Sequence, residues 1–202
     1  MNIELLRQAR DRYHAGEGDL SPAWFSGQMD LWIEQTCEKD RPLFGSSLVV
    51  ALGGYGRGEL YPHSDIDLLV CLPEAGSTDT QALAEALFHP LWDSGFDVGH
   101  GVRTVAETLE LAASDFEVLC SLLDARLLFG PRAEFDAFRR AVHERLLLPG
   151  RGELVRWLNG RHEERHRRQG ERLLAPNLKD GRGGQRDIQT MRWLDLVNSF
   201  PD

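Results

Sequence analysis

Residues 49–70 constrain the fold of this chain more than any other stretch. They read Val49-Val-Ala-Leu-Gly-Gly-Tyr-Gly-Arg-Gly-Glu-Leu-Tyr-Pro-His-Ser-Asp-Ile-Asp-Leu-Leu-Val70. An apolar run enters a glycine-rich turn, and a second apolar run leaves it with Asp65 and Asp67 at its start. Strand side chains alternate faces, so these carboxylates point one way while Ile66 and Leu68 point the other. An Asp-x-Asp pair alone is ordinarily a polar edge, and a glycine cluster alone is ordinarily a turn. Here one leads straight into the other, and Arg57 sits inside the turn. Two carboxylates on one face, beside free backbone N–H groups and a guanidinium, can hold a divalent cation and a polyphosphate together.

Bulk properties bound the rest. A chain of 202 residues has room for one large domain or two small ones. No apolar run is long enough to span a membrane, and residues 1–7 lack the basic-then-apolar order of a secretory signal. The three cysteines, Cys37, Cys71 and Cys120, are scattered in apolar surroundings and read as buried thiols of a reducing, cytoplasmic compartment. The net charge of −9 hides an asymmetry, because arginine dominates from Arg151 onward. A basic last third beside an acidic, metal-binding part suits a substrate that carries phosphates. The competing reading of residues 153–169 is a solvated helix whose arginines pair with Glu153, Glu163, Glu164 and Glu171 at helical spacing. Nucleic acid is disfavoured, because no aromatics interleave with the basic residues and the whole chain is acidic.

Periodicity predicts helices over 3–14 and 22–39, the second with Ser21 as N-cap and Pro22 at its first position. Its stripe of Trp24, Phe25, Met29, Trp32, Ile33 and Thr36 reads as core. Strands are predicted over 48–52, 66–72 and 96–104. A helix over 79–93 lies between the last two, and a loop is expected at 16–19. Helices are expected over 105–113, 115–128 and 132–147. Pro149-Gly-Arg-Gly152 reads as a linker, and a long helix follows to about Gln169. A polar, glycine-rich loop over 175–187 holds or adjoins Lys179, Arg182 and Arg186, and a helix over 188–197 follows it. An ordered, anion-contacting loop is expected there. The fold class is α/β (α+β): a small mixed sheet flanked by helices, then a mostly helical C-terminal part. The division expected is 1–104 for the catalytic core with its N-terminal helices and 105–202 for the helical part.

Nucleotidyl transfer, an in-line attack on an α-phosphate with departure of pyrophosphate, is chemistry such a site can support, since metal ions held by carboxylates stabilise both reacting oxygens. Asp65 and Asp67 begin the metal set. Asp97, on the next strand and on the face of Arg103, is the candidate third carboxylate and base. Asp124 is the reserve, read as helical and paired with Arg126. Gly53 and Gly54 let the backbone approach the β- and γ-phosphates, Arg57 neutralises them, and Ser64 donates a hydroxyl or caps the turn. His63 and His100 have no second histidine at ligand spacing.

Gly53-Gly-Tyr-Gly-Arg-Gly-Glu59 with Ser64-Asp-Ile-Asp67 resembles the signature of the polymerase-β-type nucleotidyltransferase superfamily. The nearest resemblance is to the N-terminal domain of the PII-protein uridylyltransferases. It extends through Asp97-Val-Gly-His-Gly-Val-Arg-Thr104, Leu123-Asp-Ala-Arg-Leu-Leu-Phe-Gly130, Pro176-Asn-Leu-Lys179 and Gly183-Gly-Gln-Arg-Asp-Ile188, roughly residues 45–195. Gln185 departs from the leucine expected of the family. The resemblance implies transfer of UMP from UTP to a tyrosine of the PII signalling protein, a nitrogen-regulating reaction that uses Mg²⁺ or Mn²⁺. It implies Asp65, Asp67 and Asp97 as catalytic metal ligands, beside which the residues themselves offer Gly53, Gly54, Arg57, Ser64, Lys179 and Arg186 as nucleotide contacts. The alternatives are adenylylation, another protein, small-molecule or RNA acceptor, or a non-catalytic nucleotide-binding relative. Family enzymes are much longer, and this chain has no His-Asp dipeptide. The family's hydrolase and glutamine-sensing parts, and the control they exert, are therefore expected to be missing.

Overall fold

The computed structural model describes residues 3–16, 21–76, 78–169 and 177–199. The chain forms two compact units, Met1–Leu111 with Asp124–Arg139, and Ala112–Leu123 with Arg140–Asp202.

The first unit opens with α1 (Ile3–His14) and α2 (Pro22–Lys39). Ser21 caps α2 by accepting from Trp24 N–H at 3.2 Å, and Pro22 costs nothing in the first turn, where its missing N–H has no helical partner. Phe25, Met29, Trp32 and Ile33 are buried as the stripe predicts, but Trp24 is 44% exposed and does not join the core. A short turn, α3 (Arg41–Phe44), leads into β1 (Leu48–Ala51). The glycine-rich segment folds as one helical turn, α4 (Gly53–Gly56), and β2 (Ile66–Leu72) follows. The predicted helix over 79–93 is two, α5 (Thr80–Leu87) and α6 (His89–Asp93), because Pro90 has no N–H to continue the ladder. β3 is Val98–Thr104, and α7 (Val105–Ser114) follows it.

A correction falls on residues 115–128. The helix there, α8 (Phe116–Leu123), stops early, and Arg126–Phe129 form a fourth strand, β4. The sheet order is β3-β2-β1-β4. β1 runs antiparallel to both β2 and β4, and β2 and β3 run parallel, joined by the α5–α6 crossover that a parallel pair needs. Val49, Ala51, Ile66, Leu68, Val70 and Leu72 occupy one face and are buried in the main core with Phe25, Ile33, Leu83, Leu87 and Leu91 from α2, α5 and α6. The other face carries Asp67, Leu69 and Cys71, so strand alternation divides apolar core from acidic site.

Gly56 is fixed by close approach to backbone. A Cβ on Gly56 would overlap the carbonyl oxygen of Asp124 and stand 2.9 Å from that of Ala51. Gly56→Ala is therefore expected to lower unfolding stability by about 2 kcal/mol through overpacking of backbone that cannot move aside, measurable as a shift of the urea midpoint at constant slope.

In the second unit, the predicted linker at 149–152 is corrected to continuous helix. α9 (Arg132–Val142), which starts in the first unit, runs through a π-helical segment, His143–Leu147, into α10 (Leu148–Gln169). Leu148 N–H bonds to His143 O. This longer register just before Pro149 lets the helix pass a residue without an N–H. α11 (Gln185–Ser199) starts three residues before the expected 188. Leu119, Leu147, Leu154, Leu158 and Val197 are buried, and Phe116 packs on Trp157 with ring centroids 5.7 Å apart. Arg168 pairs with Glu164 one turn back, as in the solvated-helix reading, whereas Arg161 pairs across to Glu117 of α8. Residues 17–19, Glu171, Arg172 and the loop start at 175–176 lie outside the described residues. Among the described residues no helix is long and apolar enough to cross a membrane.

Candidate active site

Asp67, the second residue of β2, is half-buried and flanked by glycine on two sides. A Cβ on Gly53 would stand 3.0 Å from Asp67 Oδ2, and a Cβ on Gly99 would overlap Oδ1. Gly53 opens α4, and Gly99 is the partner of Asp67 across the β2–β3 ladder. The carboxylate thus fills space that a side chain at either position would take. Asp65 lies two residues back, exposed, and by alternation on the same face. The parallel register pairs Ile66 with Val98 and Asp67 with Gly99. It continues one step further, where Ile66 N–H donates to Asp97 O at 2.8 Å. Asp65 and Asp97, both exposed, therefore hold matching positions at the mouth of the parallel pair. Arg103 lies on the same strand face as Gly99 and folds its guanidinium over Gly101. His100 is on the opposite face, with ring centroids 4.9 Å from Phe88 and 5.1 Å from Trp92.

The turn beside Asp67 is held by several bonds. Gly53 has φ of 54°, a backbone region costly for any side-chain-bearing residue. Leu52 N–H donates to Asp67 O at 3.0 Å, and Gly56 N–H to Leu52 O at 2.8 Å. Arg126 closes the other end. It donates to the carbonyls of Tyr55 and Gly56, each at 3.1 Å, forks onto Asp30, and lies over the Tyr55 ring. Burial, with Asp30 beside it, pushes the Tyr55 phenol well above its usual range.

Arg57 is placed differently from a free phosphate ligand. Its Nε donates to Glu59 at 2.9 Å and its Nη1 to Asp124 Oδ2 at 2.6 Å, while Nη2 faces Gly54. Burial works against the guanidinium's charge, but these two carboxylates outweigh it and its pKa lies above the usual value. The same pair corrects the reading of Asp124, which sits between α8 and β4 rather than on a helix. It pairs with Arg57, and Arg126 pairs with Asp30. Ser64 is half-buried in the loop before β2, its N–H bonded to Tyr61 O at 3.0 Å. That loop is anchored where Leu60 N–H donates to the buried Ser26 Oγ at 3.0 Å.

Lys179 and Arg186 belong to the second unit. Lys179 is exposed, and Arg186 Nε bonds Asp180 Oδ1 at 3.0 Å. The sequence reading passed over the most concentrated polar cluster of this unit, His162, Arg165, His166 and Asp187. The signal was visible as two histidines four apart on a helix. Burial opposes ionisation of Asp187, yet hydrogen bonds from Arg165, Gly183 N–H and His166 outweigh it and hold the carboxyl far below its usual range.

An all-oxygen donor set at a strand mouth, with glycine on both sides of the central carboxylate, fits a hard cation such as Mg²⁺ or Mn²⁺. The three cysteines are buried, and burial, with Asp40 nearby, pushes the Cys37 thiol up to about 12. They take no part in the site.

Comparison with known proteins gives two family matches. The nucleotidyltransferase domain matches residues 32–100, and the GlnD PII-uridylyltransferase family matches residues 156–197. Among curated relatives, each bearing the name bifunctional uridylyltransferase/uridylyl-removing enzyme, that of Azospirillum brasilense is 42% identical over 169 residues, which is 82% of this chain and 18% of the relative. That of Nitrobacter hamburgensis is 42% identical over 148 residues, 72% of this chain and 16% of the relative. That of Burkholderia vietnamiensis is 42% identical over 152 residues, 75% and 18% respectively. The chain spans less than a fifth of the length of these relatives, 16–18%.

Proposed function

This chain belongs to the polymerase-β-type nucleotidyltransferase superfamily, in the branch of the PII-uridylyltransferases, and from that premise we propose that it transfers UMP from UTP to a tyrosine hydroxyl of a PII-type signalling protein in the cytoplasm. The observation that carries the reading is the carboxylate of Asp67 set between Gly53 and Gly99, with Asp65 and Asp97 at the same strand mouth. Asp65, Asp67 and Asp97 would hold Mg²⁺ or Mn²⁺, which when bound supplies charge neutralisation at the attacking and departing oxygens. The acceptor oxygen attacks the α-phosphorus, the bond to the β-phosphate oxygen breaks, and pyrophosphate leaves. Asp97, exposed on the neighbouring strand, receives the phenol proton, whereas Asp124 is committed to Arg57. The α4 turn, kept open by Gly53 and Gly54, lets backbone N–H groups approach the triphosphate, and Arg57 lies beside it. Ser64 supports the turn before β2. Lys179 and Arg186 are anion contacts of the second unit in the same proposal.

Incubation with each of the four labelled nucleoside triphosphates, Mg²⁺ and a purified PII protein tests this. The expected product is PII heavier by one UMP, on tyrosine, formed with UTP in preference to ATP, CTP and GTP. Transfer of another nucleotide would overturn the uridylyl assignment and keep the reaction class. No transfer to any acceptor, with nucleotide still bound by calorimetry, would overturn the enzymatic reading.

A further inference from the structure

The geometry points to a second metal site, distinct from the acidic strand mouth: a zinc-type divalent ion held by His162, His166 and Asp187. The two histidines are one turn apart on α10, so their rings share one helix face, with centroids 4.1 Å apart. Asp187, in the first turn of α11, reaches both. Its Oδ1 is 3.2 Å from His162 Nδ1 and its Oδ2 is 2.8 Å from His166 Nε2. One ligating atom from each residue lies within 4.8 Å of the others. In a tetrahedral zinc site such atoms stand about 2.0–2.2 Å from the ion, hence roughly 3.3–3.6 Å from each other. The 3.2 Å contact to His162 needs to open by roughly 0.1–0.4 Å and the 2.8 Å contact to His166 by roughly 0.5–0.8 Å as the rings turn inward. Two imidazoles and one carboxylate form a donor set for zinc, copper or nickel rather than for magnesium.

Arg165 competes for the same carboxylate. Its Nη2 donates to Asp187 Oδ1 at 2.8 Å and lies 3.4 Å from His162 Nδ1. The same Nδ1 faces a donor at Arg165 and an acceptor at Asp187 Oδ1, and holding an ion requires the tautomer with its lone pair at Nδ1. Among the described residues the buried Nε of Arg165 has no hydrogen-bond partner. An ion replaces the Arg165 guanidinium at Oδ1, while Gly183 N–H keeps Oδ2 at 2.8 Å and fixes the carboxylate from behind. The ion then ties α10 to the turn over 177–184 through Asp187.

Cobalt(II) is the probe, used on the full chain after chelation and repeated in an Asp65→Asn/Asp67→Asn background so that the acidic face contributes nothing. The expected result is the intense visible absorption of a four- or five-coordinate ion with nitrogen ligands, saturating at one equivalent, displaced by Zn²⁺ and unaffected by the aspartate replacements. His162→Asn and His166→Gln each weaken binding at least about tenfold. The His162 side chain is 38% exposed, so its replacement spares the fold even where changes at Asp187 do not. Only the weak spectrum of a six-oxygen ion, or a spectrum that survives both histidine replacements in folded protein, overturns the site.

Discussion

Asp67→Asn is expected to lower nucleotide transfer by at least about 10³-fold, or roughly 4 kcal/mol of transition-state stabilisation, while the unfolding midpoint stays level or rises. Asparagine matches aspartate in shape, so it fits between Gly53 and Gly99 without moving either strand. It removes a negative charge from a strand mouth that gathers Asp65, Asp67 and Asp97 on neighbouring positions. Like charges so placed oppose folding, and they persist in a native protein when they serve binding or chemistry. Asp65→Asn should behave alike, and the double replacement should lose little more than either single one, because the two act as a unit. Single-turnover transfer and urea unfolding, measured on the same preparations, separate the two effects. Activity within tenfold of the parent would remove Asp67 from the chemistry.

The sequence displayed this site unusually well for a physical reason. Alternation across β2 puts Asp67 on one face and Ile66, Leu68 and Val70 in the core on the other, so the candidate carboxylate and the core pattern are written in the same strand. What it concealed depends on partners far along the chain. β4 is a four-residue strand at the end of the leucine-rich run 119–129, and a short run without alternation is equally compatible with a helix. Pairing with β1 decides the matter, through Val49, Val50 and Ala51. Asp124 and Arg126 look like local partners, yet their ion pairs reach Arg57 and Asp30, 67 and 96 residues away. Pro149 and two glycines look like a linker, but a π-helical turn absorbs the proline and the helix continues. Trp24 satisfied the helical period and still faces outward, since periodicity fixes a stripe and not its width. His162 and His166 gain significance only when Asp187, 21 residues further from His166, folds back on them.

Gly99→Ala is expected to cut kcat/KM by about 100-fold with a stability change under about 1 kcal/mol. Gly99 sits in a strand at the sheet edge with no positive φ, so alanine is acceptable to its backbone. The obstacle is the Asp67 carboxylate, whose Oδ1 occupies the place of the added methyl. Either Asp67 rotates away or the β3 edge moves outward and carries Asp97 with it. Both leave the core face of the sheet intact and spoil the carboxylate geometry. Displacement by about 1 Å is enough to cost two orders of magnitude in a positioned reaction. Gly160→Ala, on α10 with nothing within 4 Å of its added Cβ, serves as the matched control and should leave activity unchanged while gaining about 0.5–1 kcal/mol of stability. Full activity in Gly99→Ala would mean that Asp67 reaches its working position from another rotamer, and that the two glycines only accommodate the chain.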